Sequence, residues 1–572
     1  MAQNPLPQRR VAVCLFAVLA VAALVCGLGA CGKQAPAAAK VILIDNIHSN
    51  KQATEFGMPW NDYRYSRLHG QKQFFDFLGV NGYPHRYVTR SEAVKLTPEI
   101  LHGVRILLVD LIAQYSLDFA PDEVETVRQF VNEGGSLLVI ADHTNVYEHA
   151  RRSNVLLAPM GVEIEYGTAV ERDSSLATAD GFWVHLQSLA DHPVTRDVET
   201  VFMQTGTALK TTHGIAFLSP RGYLDAWNPN RKHPSWLGNG LLDAGETTGA
   251  LPVMAAGAYG RGRFAVVGDE NFLGNSRLYL ASDFEFAANL FEWLAGDEAS
   301  TTPLRTRMKA ALRVGFDLEH ARWNITGNDC DQYLPFYIDF NRAPGMVSRG
   351  LMALRGEWDV LVFTDPDTPF TAAELAYIRS HAEKGGTVIV LTDVRRARPG
   401  ARQLLSHLIP GTTLTGRRTF GLDQLPAGGD LVSTVTATNE FPLASPVLPV
   451  AGLRMAGHSY PSGARCAFDV EKSQPYVVAM TASGGEPLLQ AKVGQDVVDL
   501  ARVYPAGKGR VVVFFQDGFF RNETLGWEMY APAARTADAH RVIYELVRWL
   551  LRLYGAPGGE EPAPAASDSS AT

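Results

Sequence analysis

The chain has 572 residues, 46% of them hydrophobic, and carries 52 lysines and arginines against 60 aspartates and glutamates, a formal charge of −8. A chain of this length buries a large core and has room for more than one domain. The acidic balance argues against a nucleic-acid partner, which would require concentrated basic charge.

At the amino end, Arg9 and Arg10 precede an apolar run from Val11 to Leu28, which closes in Leu28-Gly29-Ala30-Cys31. A charged segment followed by an apolar one is the pattern of a secretory signal peptide. The last four residues resemble the bacterial lipobox. That resemblance implies a leader of residues 1–30, lipidation of Cys31 with acyl chains such as palmitate, and a chain held to the bacterial membrane by lipid. Gly32, in place of an aspartate after the cysteine, implies the periplasmic face of the outer membrane. An uncleaved anchor is the alternative, since the run is nearly long enough to span. Residues 31–39, rich in Ala and Pro, form a tether. Of the five cysteines, Cys14 and Cys26 leave with the leader. Cys330 and Cys466 remain, either as a disulfide or as two buried thiols.

From residue 40 onward the pattern is α/β. Val41–Ile44 is a short branched run that stops at Asp45, with His48 just beyond. Ile106–Val109, Leu137–Ile140 and Phe264–Val267 are runs of the same kind, the signature of strands buried on both faces. Between them, Val124, Val127, Phe130 and Val131 recur at helical spacing, and Gly134-Gly135 ends that helix. Strand–helix alternation implies a mostly parallel sheet with helices on both faces. The segment EFAANLFEWLAG closes this set.

The set then recurs. Phe119 to Asp142 aligns without a gap on Phe370 to Asp393, an offset of 251 that pairs Phe119 with Phe370, Glu123 with Glu374 and Gly134-Gly135 with Gly385-Gly386. GRGRFAVVGDENFLGN, Gly260 to Asn275, aligns on GKGRVVVFFQDGFFRN, Gly507 to Asn522, at an offset of 247. A shorter match places Asp45 with Asp317 and His48 with His320. Ordered matches of this kind predict an internal repeat. Two domains are expected over 40–298 and 304–555, each with its own core, joined by a linker and followed by a disordered tail, 556–572.

The helix-GG-strand-Asp block and the closing GxGRFAVVGDxxFxxN block resemble the class I glutamine-amidotransferase-like superfamily, within it the non-catalytic branch of periplasmic proteins and lipoproteins. The resemblance covers both copies. It implies two tandem flavodoxin-like domains and a binding or scaffold role. Catalytic members of that superfamily carry a cysteine on a tight G-x-C-x-G turn, which exposes a nucleophile beside backbone donors. Cys330 in NDCDQ and Cys466 in GARCAF lack those glycines, and no G-x-S-x-G is present. Glutamine hydrolysis is therefore not expected, and no catalytic residue is assigned.

Ligands of open parallel sheets bind beyond the carboxyl ends of the strands. Asp45, His48, Asp142, His143, Asn145, Asp269, Glu270 and Asn271 fall there in the first copy. They are the candidate ligand cleft, expected to converge on an exposed rim; the alternative is that they cap helices and brace loops. The second copy has Val394, Arg396 and Gln516 where the first has His143, Asn145 and Asp269, which makes these three the sharper candidates. A weaker candidate lies in SWLGNGLLDAGE, where Asn239, Asp243 and Glu246 match ligand positions of a degraded calcium loop, although Ser235 and Leu237 stand where acids are needed. No cofactor is expected, although a divalent cation could be held. The leading expectation is a non-enzymatic, membrane-anchored binding or scaffold lipoprotein of the cell envelope, with a carbohydrate or an envelope protein as partner. The alternatives are a hydrolase or metal-assisted enzyme acting through the first-copy cluster on envelope carbohydrate or peptide, and an accessory subunit of an export or motility complex.

Overall fold

The structure is a computed structural model. It describes residues 40–49, 70–112, 117–228, 238–297, 304, 312–321, 333–343, 345–351, 353–392, 398–411, 414–421, 431–432, 476–482, 484–493, 496–515, 520 and 537–556. Cys31, Ser235, Leu237, Cys330, Asp393, Val394, Arg396, Cys466, Gln516 and Asn522 lie outside the described residues. Among the described residues, no helix is long and apolar enough to cross a membrane.

The fold is α/β with two mixed sheets. The first takes β1 (Val41–Asn46), β2 (His85–Thr89), β3 (Val104–Val109), β4 (Ser136–Ile140), β5 (Ser188–Leu189), β6 (Gly214–Phe217), β7 (Pro252–Tyr259) and β8 (Gly262–Val267). Their order across the sheet is β2-β1-β3-β4-β8-β7-β6-β5. The pairs from β2 to β8 are parallel, and those from β8 to β5 antiparallel. The second sheet takes β9 (Leu312–Asp317), β10 (Met346–Leu351), β11 (Val360–Thr364), β12 (Thr387–Leu391), β13 (Leu414–Gly421), β14 (Leu431–Val432), β15 (Tyr476–Ala482), β16 (Glu486–Val493), β17 (Asp496–Ala506) and β18 (Gly509–Phe514). Its path is β10-β9-β11-β12-β18-β17-β15-β13, with β16 paired to β17 and β14 to β16. The first six strands along each path thus follow one order in both halves of the chain, and among the described residues no strand is shared between the sheets.

The sheets are less parallel than the strand–helix alternation implies, for a local reason. β7 and β8 are joined by two residues, Gly260 and Arg261, and so short a connection can only make an antiparallel hairpin. Gly260 takes a φ of +57°, and a Cβ there would lie 2.2 Å from Asn132 Oδ1. At Gly262 a Cβ would lie 2.0 Å from the Gly135 carbonyl oxygen. The counterparts Gly507 and Gly509 meet Glu383 and Gly386 in the same way. The two glycine-bearing blocks that recur in the sequence are therefore two sides of one contact, in which the hairpin turn sits on the end of the helix before β4 or β12.

Helices cover both faces of each sheet. In the first, α1 (Lys72–Val80) and α4 (Asp283–Ala295) pack on one face, while α2 (Pro121–Asn132) and α3 (His149–Leu157) pack on the other. Alternate strand residues divide accordingly: Ile106 and Leu108 face the first pair, Leu107 and Val109 the second. In the second sheet, α5 (Leu334–Phe340) and α8 (Ala537–Leu553) lie on one face, and α6 (Ala372–Glu383) and α7 (Pro399–Leu408) on the other.

The cores are not separate. One continuous cluster runs from Phe74, Leu290 and Phe291 in the first half to Phe316, Phe336 and Leu550 in the second. The cause is α4, all thirteen residues of which are buried. A helix apolar on more than one side needs cover on more than one side, and the second half supplies part of it. Tyr279 meets Tyr337 edge-on at 5.6 Å. The Gly350 amide donates to the Tyr279 carbonyl at 2.8 Å, Arg349 Nη2 donates to Ser282 Oγ at 2.9 Å, and Gln73 Nε2 donates to the Ile338 carbonyl at 2.7 Å.

Tyr279→Ala is expected to lower stability by about 3–5 kcal/mol, the usual cost of emptying a buried aromatic site. Denaturant unfolding followed with probes in each half should register that loss in both. Val94→Ala, at an exposed position, should stay within about 0.5 kcal/mol.

Candidate functional site

Asp45 ends β1 by turning the chain back on itself. Its Oδ1 accepts the amides of Ile47 (2.9 Å) and His48 (3.3 Å), and its Oδ2 takes His48 Nδ1 at 2.7 Å. The His48 ring stacks on Phe119 at 3.9 Å, and its Nε2 lies 3.4 Å from Glu123 Oε1. Glu123 belongs to the first turn of α2, where its Oε2 accepts the Ala120 amide at 3.1 Å and its Oε1 the Leu96 amide at 2.6 Å. All three polar side chains are buried. Burial alone would lower the His48 pKa, but the hydrogen bonds and charges of Asp45 and Glu123 outweigh it and raise the group to about 9. Asp45 and His48 therefore lie away from any exposed rim. They tie the end of β1 to the start of α2.

The second half repeats this brace. His320 Nδ1 meets Asp317 Oδ1 at 3.0 Å, the ring stacks on Phe370 at 4.0 Å, and Nε2 faces Glu374 Oε2 at 3.6 Å.

The remaining candidates gather beyond β4 and β8, which are adjacent strands. Asp142, Asn145 and Asp269 are buried, whereas His143, Glu270 and Asn271 are partly exposed. Asp269 is held by backbone: Oδ2 accepts the Gln204 amide at 2.6 Å, and Oδ1 the Asn271 amide at 2.8 Å. Burial pushes its carboxyl up to about 7, against the pull of those bonds and with the help of the Asp142 charge. Burial likewise lowers His143 to about 4, opposed by the charge of Asp269. Asn145 Oδ1 accepts the Arg151 amide at 3.2 Å. His149, unremarked in the sequence, accepts the Asp142 amide at Nε2 (3.0 Å) and donates from Nδ1 to the Val146 carbonyl (2.8 Å). Those two bonds require a neutral ring, and burial lowers His149 to about 4.

These bonds hold a strained loop. Thr144, Tyr147 and Glu148 have φ of 54°, 57° and 60°, and Thr205, beside Gln204, has 61°. A β-branched residue in the left-handed region is an outlier that persists only where its surroundings enforce it. Arg277 completes the setting: it is buried, donates to Gln204 Oε1, and lies 5.3 Å over the Trp183 ring. Neither Gln204 nor Arg277 announces itself in the sequence, because each matters only through a contact some 65 to 73 residues away.

The structure thus joins Asp142, His143, Asp269 and Asn271 and leaves Asp45 and His48 in a separate cluster two strands across. The joined set offers a neutral imidazole near a carboxyl that titrates near neutrality. Such a pair can exchange hydrogen bonds with hydroxyl-rich ligands or move a proton. Asn239, Asp243 and Glu246 serve their own turn. Asn239 Nδ2 donates to Asp243 Oδ2 at 2.8 Å, while Glu246 accepts the amides of Ala226 (2.7 Å) and Asp243 (2.8 Å). The buried Asp225 holds the same turn through the amides of Asn239 and Gly240.

No family model and no curated protein matches the chain. Solved structures similar to it include the N-terminal domain of mmIFT52, at 15% identity and a TM-score of 0.33 over 44% of this chain and 97% of that one. A ThuA-like protein from Bacteroides uniformis ATCC 8492 is similar at 14% identity and a TM-score of 0.25 over 46% of this chain and 95% of that one. A β-galactosidase from Rahnella sp. R3 follows at 14% and 0.26 over 42% of this chain, which spans 33% of that enzyme.

Two outcomes are expected. Asp269→Ala should destabilise the protein by about 1–3 kcal/mol, because it strands two partly buried amide donors at a buried position, whereas His143→Ala should cost under about 1 kcal/mol; urea midpoints separate the two. The His48 brace should also make stability depend on pH. A histidine whose folded pKa is raised contributes fully below its unfolded value of about 6.5. That contribution is lost as pH rises through about 9. The unfolding free energy should fall across this window by about 3 kcal/mol, read as a falling urea midpoint, and His48→Gln should flatten the slope.

Proposed function

We propose that the chain is a lipoprotein of the bacterial cell envelope, anchored through Cys31, with a non-enzymatic binding or scaffold role carried by two tandem flavodoxin-like domains of the amidotransferase-like type. The observation that carries this reading is the use to which the strand-end polar residues are put. Asp45, Asp269, Asn145 and His149 spend polar atoms on loop amides, and Asp45 spends a second oxygen on His48. A catalytic carboxylate needs a free oxygen aimed at substrate; these acids hold backbone. The absence of a cysteine on a G-x-C-x-G turn supports the same reading. So does the parallel order β2-β1-β3-β4-β8, repeated as β10-β9-β11-β12-β18. The working surface would be the edge beyond β4 and β8, where His143, Glu270 and Asn271 remain partly open, with a hydroxyl-rich carbohydrate or an envelope protein as partner.

A hydrolytic role is the second reading, favoured by one observation: neutral His143 lies near Asp269, whose carboxyl titrates near pH 7.

Cys31→Ser should abolish labelling by a palmitate analogue and move the protein from the membrane to the soluble fraction, since one thiol carries the attachment. Retention of the processed variant in membranes would remove the anchoring part of the proposal. The purified full-length chain should release no product from envelope glycans or peptides. Turnover that His143→Ala abolishes would replace the scaffold reading with the hydrolytic one.

A further inference from the structure

The two braces differ in the residue before the histidine. In the first, Ile47 precedes His48, and both are buried; in the second, Glu319 precedes His320 and is exposed. The ligand atoms of Glu319, His320 and Glu374 all lie within 4.8 Å of one another, and among the described residues no other group of three His, Cys, Asp or Glu does so.

The imidazole adds an independent observation. His320 is only 3% exposed. Its Nε2 faces Glu374 Oε2 at 3.6 Å, longer than a normal hydrogen bond. Nδ1, on the far side of the ring, meets the buried carboxylate of Asp317 at 3.0 Å. In the neutral ring that contact fixes the proton on Nδ1 and turns the Nε2 lone pair toward the two glutamates. A carboxylate behind an imidazole is how proteins orient a metal-ligating histidine. Glu374 uses Oε2 for the Thr371 amide and hydroxyl, each at 2.7 Å, and Oε1 accepts no hydrogen bond among the described residues.

We propose that Glu319, His320 and Glu374 bind a borderline divalent cation, with Asp317 as positioning residue. One imidazole nitrogen and two carboxylates make a donor set suited to zinc. Three protein ligands leave at least one coordination position for water or for a group on a partner. The first copy cannot do the same, because Ile47 supplies no donor and His48 is fully enclosed. The site therefore binds one ion per chain, and it lies in the half opposite the partly open edge beyond β4 and β8.

The test is a zinc titration of the full-length chain, purified in detergent and stripped with chelator, followed by calorimetry and by thermal melting. One zinc per chain should bind and raise the melting temperature. Glu319→Gln should weaken binding about tenfold or more and abolish the melting shift. Glu319 is exposed, so this variant should melt like the parent without metal, which separates lost binding from lost folding. His48→Gln should leave the stoichiometry at one. No zinc uptake would overturn the proposal and leave the cluster as an acidic pair beside an ion-paired histidine. Uptake that Glu319→Gln does not weaken would overturn it equally, since the metal would then sit elsewhere.

Discussion

The contact between a carboxylate, an imidazole and a second carboxylate recurs in both halves of this molecule, where the end of β1 meets the start of α2 and the end of β9 meets the start of α6. A parallel strand has no hairpin to fix where it stops, so the position of its end must come from side chains. Asp45 and His48 on one side and Glu123 on the other supply that position, with Phe119 laid against the ring as a backstop. Three ionisable groups taken out of water are expensive unless their hydrogen-bonding capacity is met. Here the carboxylates also accept backbone amides from the turn after β1, from Leu96 and from the helix start. The brace therefore couples one strand end, one loop and one helix start in a single buried cluster.

The second recurring constraint is steric. Gly260 and Gly262 in the first half, and Gly507 and Gly509 in the second, let a hairpin turn press against the helix end at positions a Cβ would occupy. This explains why two blocks remote in sequence repeat together: each is unsatisfactory without the other. The corner brace and the hairpin contact lie on different helix ends, one at the start of α2 and one at its finish, so the helix is located at both.

Much of this architecture is legible in the sequence. Short branched runs mark the parallel strands because burial on both faces leaves no room for polar alternation, and the GG stops mark helix ends because a left-handed residue is needed there. The antiparallel extension is harder to see, since its cue is a two-residue turn and not a composition. For the candidate site the sequence locates residues along the chain and says little about what they face. Asp269 follows a strand and has the look of a rim residue, yet the segment at Gln204 folds over it and takes both its solvent and its freedom. His149 and Arg277 carry no local signature at all. Glu123 stands out as a repeated position and a helix-start acid, but its partnership with His48 is a fact of three dimensions.

Helix α4, enclosed along its whole length, has a consequence for how such a molecule can change. A duplicated unit is ordinarily free to drift, because one copy can lose what the other retains. Here the residues just before α4 pack against the second half of the chain, and α4 shares a core with it, so a substitution in α4 is felt in both halves. Divergence of chemistry between two nearly equivalent corners, with an aliphatic residue in one and a glutamate in the other, is the kind of difference that such an arrangement still permits.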